Sequence, residues 1–337
     1  MYDPSQLYID PILSGFSVGY KDQNLYGERL FPITSVNTQS GRYRVFDRSD
    51  WMIWPDRREP GTVANEIRGR KWSEDTFQTK EHSLQAPVFD EERQELTSLG
   101  GLANAAFGGA LQINPERDAT QLVTRSLMLG HEKKVADTLR NTANYPAGHT
   151  VTKSGTAQWN DYTGGTSSAS DPVNDIITAI RVINSKIGKN PNTMVLPRWG
   201  ESYINNHPRI IVRYQNFALT NPDAFRQLTG FDGTIISVDS TYNTADNIDL
   251  TESIALSTLW GYDVWLGFVD PSDGQEIQTF GKTFSQVYPS GGIRPTDRWR
   301  EENRKADLVR TSWKYDLKIV SGIAGYLIKN AFASSAW

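Results

Sequence analysis

The sequence predicts an α+β fold, and two features of the chain support that class. A single long helix over residues 115–143 stands among shorter helices and strands. The helices and strands also alternate without the regular strand–helix–strand repeat of a parallel α/β sheet. The 337 residues are 38% hydrophobic and 22% charged, which is enough for a sizeable core because ordinary globular proteins have a similar composition.

The first 80 residues are predicted to form an arm followed by a projecting loop. Residues 1–40 mix Pro, Gly, Gln and Asn with isolated aromatic residues and show no sustained periodicity. A short strand follows, in which arginines alternate with Tyr43 and Val45. Residues 47–70 are punctuated by prolines and glycine, and so long a stretch without structure of its own is uncommon in a compact domain. We therefore expect a two-stranded loop that projects from the body.

The helix over residues 115–143 has clear signals at its start. Asn114 is a good N-cap, and Pro115 suits the first helical position because its missing N–H needs no partner there. Leucine and alanine recur at every seventh position from Leu122 to Ala143, so that face is predicted to be apolar. At 1.5 Å per residue the helix is expected to be about 43 Å long.

The second half of the chain is predicted to be a separate domain of mixed elements. Residues 147–171 are rich in Gly, Ser and Thr and are expected to form a linker. Asp171 caps a helix that ends at Gly188. The last strand alternates large apolar with polar residues, which is typical of a half-buried antiparallel strand. Strands are predicted at residues 193–196, 234–238, 253–259, 264–269 and 312–319.

Motifs for catalysis and metal binding carry little weight in this sequence. Cysteine is absent, which removes disulfides, thiolate zinc sites and cysteine nucleophiles. The histidines are scattered, and His131 with Glu132 has no second histidine one turn later. Gly15 to Gly19 read G-x-S-x-G, but the sequence upstream is too short for the parallel sheet that a nucleophile elbow needs. We therefore expect no catalytic residue, no metal and no cofactor.

Acidic clusters and overall charge also indicate no enzyme or dedicated nucleic-acid binder. The acidic run from Asp90 to Glu92 is typical of a first helical turn, because adjacent helical residues do not face one another as a catalytic pair must. The net charge of −4 gives no global positive field for nucleic acid. The first residues lack the pattern of a signal peptide, and no apolar run is long enough for a membrane span.

Aromatic residues are the one compositional excess, with ten Trp and fourteen Tyr. Large aromatic anchors suit subunit interfaces, although sugar-binding modules use them too. The charges near residue 300 alternate in sign, which favours a solvated or intersubunit salt-bridge network over a phosphate track. The candidate intersubunit contacts are Trp51, Trp54, Arg57, Arg58, Glu59, Arg68, Arg70, Arg298, Arg300, Glu301 and Glu302.

Three stretches, taken in order, resemble a known family. Residues 84–92 read LQAPVFDEE, residues 190–196 read NPNTMVL, and residues 319–330 read IVSGIAGYLIKN. Together with the long helix they resemble Hong Kong 97-type major capsid proteins, the shell proteins of tailed phages. Bacterial encapsulins share that fold. The family's self-crosslinking branch uses a loop lysine, but residues 47–67 here contain none, so that chemistry is not expected.

The resemblance implies a domain organisation for the whole chain. Residues 1–40 are expected to be the N-terminal arm and residues 41–80 the extended loop. Residues 81–170 are expected to be the peripheral domain, which contains the spine helix and the linker. Residues 171–320 are expected to be the axial domain, and residues 321–337 a C-terminal segment that returns to the peripheral region.

The resemblance also implies a function and partners. We expect pentamers and hexamers of this chain in an icosahedral virion capsid around double-stranded DNA, made in the cytoplasm of a host bacterium. Further partners are a portal and a decoration protein. The arm begins close to Met1, so we expect a separate scaffolding protein in place of a long cleaved extension. The alternatives are an encapsulin shell and, at a distance, a tail, baseplate or carbohydrate-binding protein.

Overall fold

The computed structural model describes most of the chain. The described residues are 8–9, 13–14, 17, 25–46, 53, 55–66, 72–91, 93–94, 114–167, 169–215, 224–239, 241–242, 257–272, 279–289 and 292–333. The helices are α1 (Gly27–Leu30), α2 (Pro115–Arg140), α3 (Pro172–Ile187), α4 (Arg198–Asn205), α5 (Pro208–Gln215) and α6 (Ala224–Thr229). The strands are β1 (Tyr8–Ile9), β2 (Ile33–Val36), β3 (Ser40–Phe46), β4 (Trp72–Gln78), β5 (Lys80–Phe89), β6 (Thr150–Thr152), β7 (Thr193–Pro197), β8 (Thr234–Val238), β9 (Thr241–Tyr242), β10 (Ser257–Thr258), β11 (Val264–Gly267), β12 (Gly281–Gln286), β13 (Thr296–Glu301), β14 (Ala306–Ile319) and β15 (Gly325–Lys329).

A six-stranded sheet is built around the long strand β14. One edge of β14 pairs antiparallel with all of β5, from Ala306 opposite Phe89 to Tyr315 opposite Lys80. Its other edge pairs with β13 in the first half and with β12 in the second half. The parallel strand β2 joins at β12, and β1 joins at β13. Helix α2 packs across β5 and β14, so this sheet carries the long helix.

The second sheet has the strand order β6-β15-β11-β7-β8. All residues of β7 and β11 are buried, as expected for central strands covered on both faces. The main hydrophobic cluster lies here: Ile176, Ala179 and Ile183 of α3 belong to it together with residues of β7, β11 and β15. The α+β class predicted from the sequence is therefore confirmed.

The two sheets cut across the predicted domain ranges. Strands β12 to β14 lie in the range predicted as axial, yet they pair with β5 or with each other beneath α2. Strand β15, predicted to return to the peripheral region, pairs instead with β11 and β6. The predicted linker contains β6 and the fully buried Trp159. Long-range strand pairing of this kind leaves no local signal in the sequence.

Helix α2 begins as predicted and ends earlier. The Asn114 side chain accepts hydrogen bonds from the backbone N–H groups of Glu116 and Arg117, and Pro115 is the first helical residue. Asn141 leaves the helical conformation, and its side chain accepts from the Ala143 backbone N–H to start a short 3-10 turn, so the helix ends at Arg140 instead of residue 143.

The apolar face predicted for α2 was partly wrong. Leu122 is 62% exposed, and Ala143 lies outside the helix and is exposed. The buried stripe includes polar residues, so the spacing of leucine and alanine alone did not predict it. Its residues are Thr120, Val123, Thr124, Leu127, Met128, His131, Glu132, Val135, Ala136 and Leu139.

The other predicted elements agree closely with the structure. The Asp171 side chain caps α3 by accepting from the Asn174 backbone N–H, and Gly188 ends this helix in the left-handed conformation. Strand β8 has the predicted bounds, whereas only Ser257–Thr258 is a strand in the range 253–259, of which residues 253–256 lie outside the described residues. Strands β3 and β4 pair antiparallel on either side of the predicted loop, which agrees with its two-stranded form.

Candidate assembly surfaces

The base of the β3–β4 hairpin is fixed to the six-stranded sheet by aromatic packing. The Phe77 ring stacks on Phe284 of β12 with 4.7 Å between centroids, and the centroid of the Tyr43 ring lies 5.2 Å from that of Phe284. The Tyr43 hydroxyl donates to Asp75 Oδ2 at 2.7 Å and lies 3.2 Å from the Ile319 carbonyl oxygen. Gly41 permits this packing, because a Cβ there would lie 2.7 Å from the Phe77 ring. The hairpin base is therefore held by its own chain.

The tip of the hairpin, residues 53–66, has a different environment. All of its described residues are exposed, including Ile53 at 100% and Val63 at 87%. Local hydrogen bonds shape the tip: the Thr62 hydroxyl donates to the Glu59 carbonyl at 2.8 Å, and the Asn65 amide donates to the Pro55 carbonyl at 2.8 Å. The tip has a local turn, and the apolar side chains of Ile53 and Val63 lie in solvent.

The predicted contact residues of this loop fall into two groups. Arg57, Arg58 and Glu59 lie in the described tip and are exposed. Trp51, Trp54, Arg68 and Arg70 lie outside the described residues.

The predicted charges near residue 300 belong to an ion network within the chain. Asp307 of β14 is the centre, with a side chain that is only 8% exposed. Arg93 Nη2 lies 2.7 Å and Arg298 Nη2 lies 2.8 Å from Asp307 Oδ2, and Arg300 Nη1 lies 3.4 Å from Oδ1. Glu116 in the first turn of α2 accepts from Arg93 at 3.0 Å and from Arg298 at 2.8 Å. The network therefore joins the start of α2 to β13 and β14.

Asp90 extends this network at the end of β5. Arg300 donates to both Asp90 oxygens, at 2.7 and 2.5 Å, and this hydrogen bonding holds the pKa of Asp90 below its usual value. Burial by itself raises the pKa of Asp307, but hydrogen bonds from Arg93 and Arg298 outweigh it and lower the pKa. Both carboxyl groups are therefore ionised at neutral pH.

Two of the predicted charges lie at the rim of the network. Glu302 is exposed and lies 3.3 Å from Arg300 Nε, and Glu301 lies 3.8 Å from Arg304. Sequence reasoning missed Arg93, Glu116 and Asp307, because Arg93 and Asp307 are separated by 214 positions along the chain. The acidic first turn of α2 was the only available signal, and it also has a local explanation in the helix dipole.

The serine and histidine residues considered as catalytic candidates form hydrogen bonds within the fold. Ser17 is fully buried, and its hydroxyl accepts a hydrogen bond from Thr124 of α2 at 3.1 Å, unlike the exposed serine of a nucleophile elbow. His207 Nδ1 accepts from the Arg209 backbone N–H at the start of α5. Within the described part of the chain, no three His, Asp or Glu side chains are grouped to hold a metal ion. None of the helices searched there is both long and apolar enough to cross a membrane.

The sequence of the chain is similar to those of phage proteins. The chain is 25% identical to the major capsid protein of Burkholderia phage BcepMu over 323 residues, which cover 95% of each chain. The chain is a homologue of phage major capsid proteins. The resemblance inferred from the order of the elements is therefore confirmed. No protein-family model matches the sequence.

Solved structures support the same relationship at the level of the fold. A phage-related protein from Bordetella bronchiseptica superposes with a TM-score of 0.72 at 25% identity, and the match covers 96% of this chain and 98% of that one. The capsid protein of cyanophage P-SCSP1u superposes with a TM-score of 0.53 at 10% identity, covering 92% of this chain and 89% of that one. The chain thus has the mixed fold of phage capsid proteins over nearly its whole length.

Proposed function

We propose that this chain is the major capsid protein of a tailed phage, and that it assembles as pentamers and hexamers into the icosahedral shell around a double-stranded DNA genome. The observation that carries this proposal is the end-to-end relationship with a phage major capsid protein, which covers 95% of both chains. A shared module inside an unrelated protein would not align over the full length of both. The relatives are structural proteins, and we propose that this chain likewise has no catalytic activity.

The two sheets define the proposed working parts of the subunit. We assign the six-stranded sheet and α2 to the peripheral unit, with α2 as its spine helix, because α2 packs along β5 and β14 and is fastened to them at its start by the Asp307 network. The five-stranded sheet with α3 to α6 is assigned to the axial unit that meets its copies around symmetry axes. Residues 1–40 remain the proposed arm, which joins the peripheral sheet through its strands β1 and β2.

We propose that the hairpin tip is an intersubunit contact. Its base is packed on its own sheet, whereas Ile53 and Val63 at the tip are exposed. Removing apolar surface from water is favourable by about 25 cal/mol per Å². A neighbouring subunit that covers these side chains would therefore be stabilised on the tip. Arg57, Arg58 and Glu59 add charges that suit the rim of such a contact. Trp51, Trp54, Arg68 and Arg70 belong to the same proposed contact.

The ion network plays a different part in this proposal. The guanidinium groups of Arg298 and Arg300 have carboxylate partners within their own chain, so we propose that they stiffen the start of α2 within the subunit. Glu301 and Glu302 stand at the exposed rim, and they are the members that we propose as intersubunit contacts. Exposed ion pairs are worth at most about 1 kcal/mol each, so these contacts set orientation more than affinity.

We propose that assembly takes place in the cytoplasm of the host with a separate scaffolding protein, a portal and a decoration protein. The DNA contact is proposed to lie on the inner face of the shell and to be non-specific, and the net charge of −4 indicates that it is weak. Contacts with neighbouring subunits are proposed to offset the backbone entropy cost of fixing the tip, which is about 1–2 kcal/mol per residue.

Electron microscopy of the expressed chain tests the proposal. The chain alone is expected to give monomers, irregular shells or tubes. Co-expression with scaffolding candidates encoded beside it is expected to give uniform closed shells. A chain that forms neither shells nor tubes under any of these conditions contradicts a capsid function.

The encapsulin alternative has a distinct outcome in the same experiment. Encapsulins share the fold, so only the full-length relationship with a phage protein favours the phage shell here. Uniform closed shells formed by the chain alone, and filled with a co-purifying enzyme, would establish the encapsulin alternative instead.

A further inference from the structure

Glu132 is a buried carboxyl group in the middle of α2. Its side chain is 1% exposed, and it faces two segments that come from different parts of the fold. The Gly27 backbone N–H at the start of α1 donates to Oε2, and the Trp260 indole N–H donates to Oε1 at 3.0 Å. The Tyr26 backbone contributes a further hydrogen bond. Glu132 therefore connects α2 both to α1 and to the loop before β11.

No cation neutralises this carboxylate among the residues that the structure describes. The adjacent His131 is buried against Thr283, and burial lowers the pKa of His131 to about 3, so its ring stays neutral. Glu28 of α1 adds a second negative charge nearby, although it is paired with Arg294 at 2.8 Å. The loop before β11 contributes Asp263, which is paired with Arg140 at 2.6 Å.

Together, burial and hydrogen bonding place the pKa of Glu132 at about 7. Burial raises the pKa of Glu132 from its ordinary 4.5 to about 7, although the hydrogen bonds from Gly27, Trp260 and Tyr26 lower it. A carboxylate accepts through both oxygens, whereas a protonated carboxyl group has one oxygen that donates. One of the present donors therefore loses its acceptor when Glu132 takes up a proton.

The two partners differ in their freedom to move. Trp260 is 5% exposed and belongs to the main hydrophobic cluster, as do Leu30 and Phe31 at the end of α1. The first turn of α1, in contrast, borders a cavity of about 350 Å³ beside the carboxyl group, which leaves room for the backbone at Gly27 to shift. The cavity is lined on one side by Gly27, Glu28 and Arg29 of α1 and on the other by Met128, His131 and Glu132 of α2.

We propose that Glu132 is a proton-operated latch that fastens α1 to α2 when it is ionised and releases α1 when it is protonated. Residues 25–31 lead directly into β2, the edge strand that pairs with β12. The latch thus sets how firmly the end of the proposed arm is held against the long helix. This inference concerns the single chain and does not depend on shell formation.

Hydrogen exchange of residues 25–31, measured by mass spectrometry on the full-length chain, tests the latch. Rates at pH 6 and pH 8 are corrected for the intrinsic pH dependence of exchange. The wild-type chain is expected to lose protection of this segment at pH 6, with a midpoint near pH 7. Glu132→Gln is expected to remove that pH dependence. Asp137→Asn, on an exposed carboxylate of the same helix, is the matched control and is expected to behave as wild type.

A second variant keeps the test decisive if Glu132→Gln does not fold. Trp260→Phe retains an aromatic ring but removes the indole donor, so the ionised form loses one hydrogen bond and the midpoint is expected to move to higher pH. In the wild-type chain the Trp260 indole resonance, assigned by its absence in this variant, is expected to shift with the same midpoint. A protection pattern that does not change between pH 6 and pH 8, or a midpoint unaffected by Trp260→Phe, overturns the proposal.

Discussion

The base and the tip of the β3–β4 hairpin differ in what surrounds them. At the base, Phe77 is buried against Phe284, and the Tyr43 hydroxyl has hydrogen-bonding partners in the same chain. At the tip, Ile53 and Val63 are exposed. The difference separates residues that stabilise the subunit from residues that we propose to contact another subunit. Substitutions at the base should therefore change the unfolding of the chain, and substitutions at the tip should change assembly.

Phe77→Ala is expected to have the largest effect on the free energy of unfolding. Removing this buried ring should lower it by about 3 kcal/mol, because the transfer energy of the ring and a cavity under the hairpin act together. Denaturant unfolding followed by circular dichroism measures the change. Val63→Ala, which removes an exposed apolar side chain from the tip, is the control and should change stability by less than about 0.5 kcal/mol. Similar losses in the two variants would show that the base is no more important to the stability of the subunit than the tip.

Asp307→Asn should have the next largest effect. Arg93 and Arg298 share this buried carboxylate, so its neutral amide should cost about 2 kcal/mol at pH 7. The pKa of Asp307 is lowered in the folded chain, so its contribution is present above its ordinary value of 3.8 and is lost as the pH falls through the lower folded value. Unfolding measured from pH 7 to pH 3 should show the variant and wild type converging. A difference that is constant over this range would contradict the role assigned to the charge.

Tyr43→Phe should have a smaller effect at the hairpin base. The ring stays on Phe284, but the hydroxyl's hydrogen bond to Asp75 is lost together with its longer contact to the Ile319 carbonyl oxygen, at a cost of about 1 kcal/mol. Thermal unfolding of the two chains measures it. A loss as large as that of Phe77→Ala would show that the hydroxyl, and not the ring stacking, fixes the base.

The double variant Ile53→Ser and Val63→Ser should have the smallest effect on the subunit itself. Both side chains are exposed, so unfolding should change by less than about 0.5 kcal/mol. The yield of assembled particles in sedimentation should nevertheless fall clearly, because the proposed contact loses its apolar area. The matched control is Leu122→Ser, an exposed apolar residue on α2 outside the tip. Equal yields from wild type and the double variant would remove the tip from the proposed interface.

Local signals predicted much of the secondary structure. The caps at Asn114 and Asp171 and the end at Gly188 follow from hydrogen-bonding rules that involve only neighbouring residues. The alternation of residues 312–319 likewise predicted the second half of β14. The order of such elements was enough to indicate the capsid family.

Those local rules could not predict which strands pair or which charges meet when the residues are far apart in the sequence. Strand β5 pairs with a strand more than 200 positions later, so the predicted domain ranges could not follow the sheets. Arg298 and Arg300 were singled out by their alternating charges, but their partners Asp307 and Glu116 lie on other elements. From the sequence, Glu132 was considered only as part of a zinc motif. Its burial could not be predicted, because it depends on α1 and Trp260, which are distant in sequence.

A cryo-electron microscopy structure of the assembled particle would show both the shell and the surroundings of the hairpin tip. We expect a closed shell of this chain in which Ile53 and Val63 are buried by a neighbouring subunit while Phe77 remains packed on Phe284 of its own. A shell in which both tip residues stay in solvent, or are covered by their own chain, would contradict it.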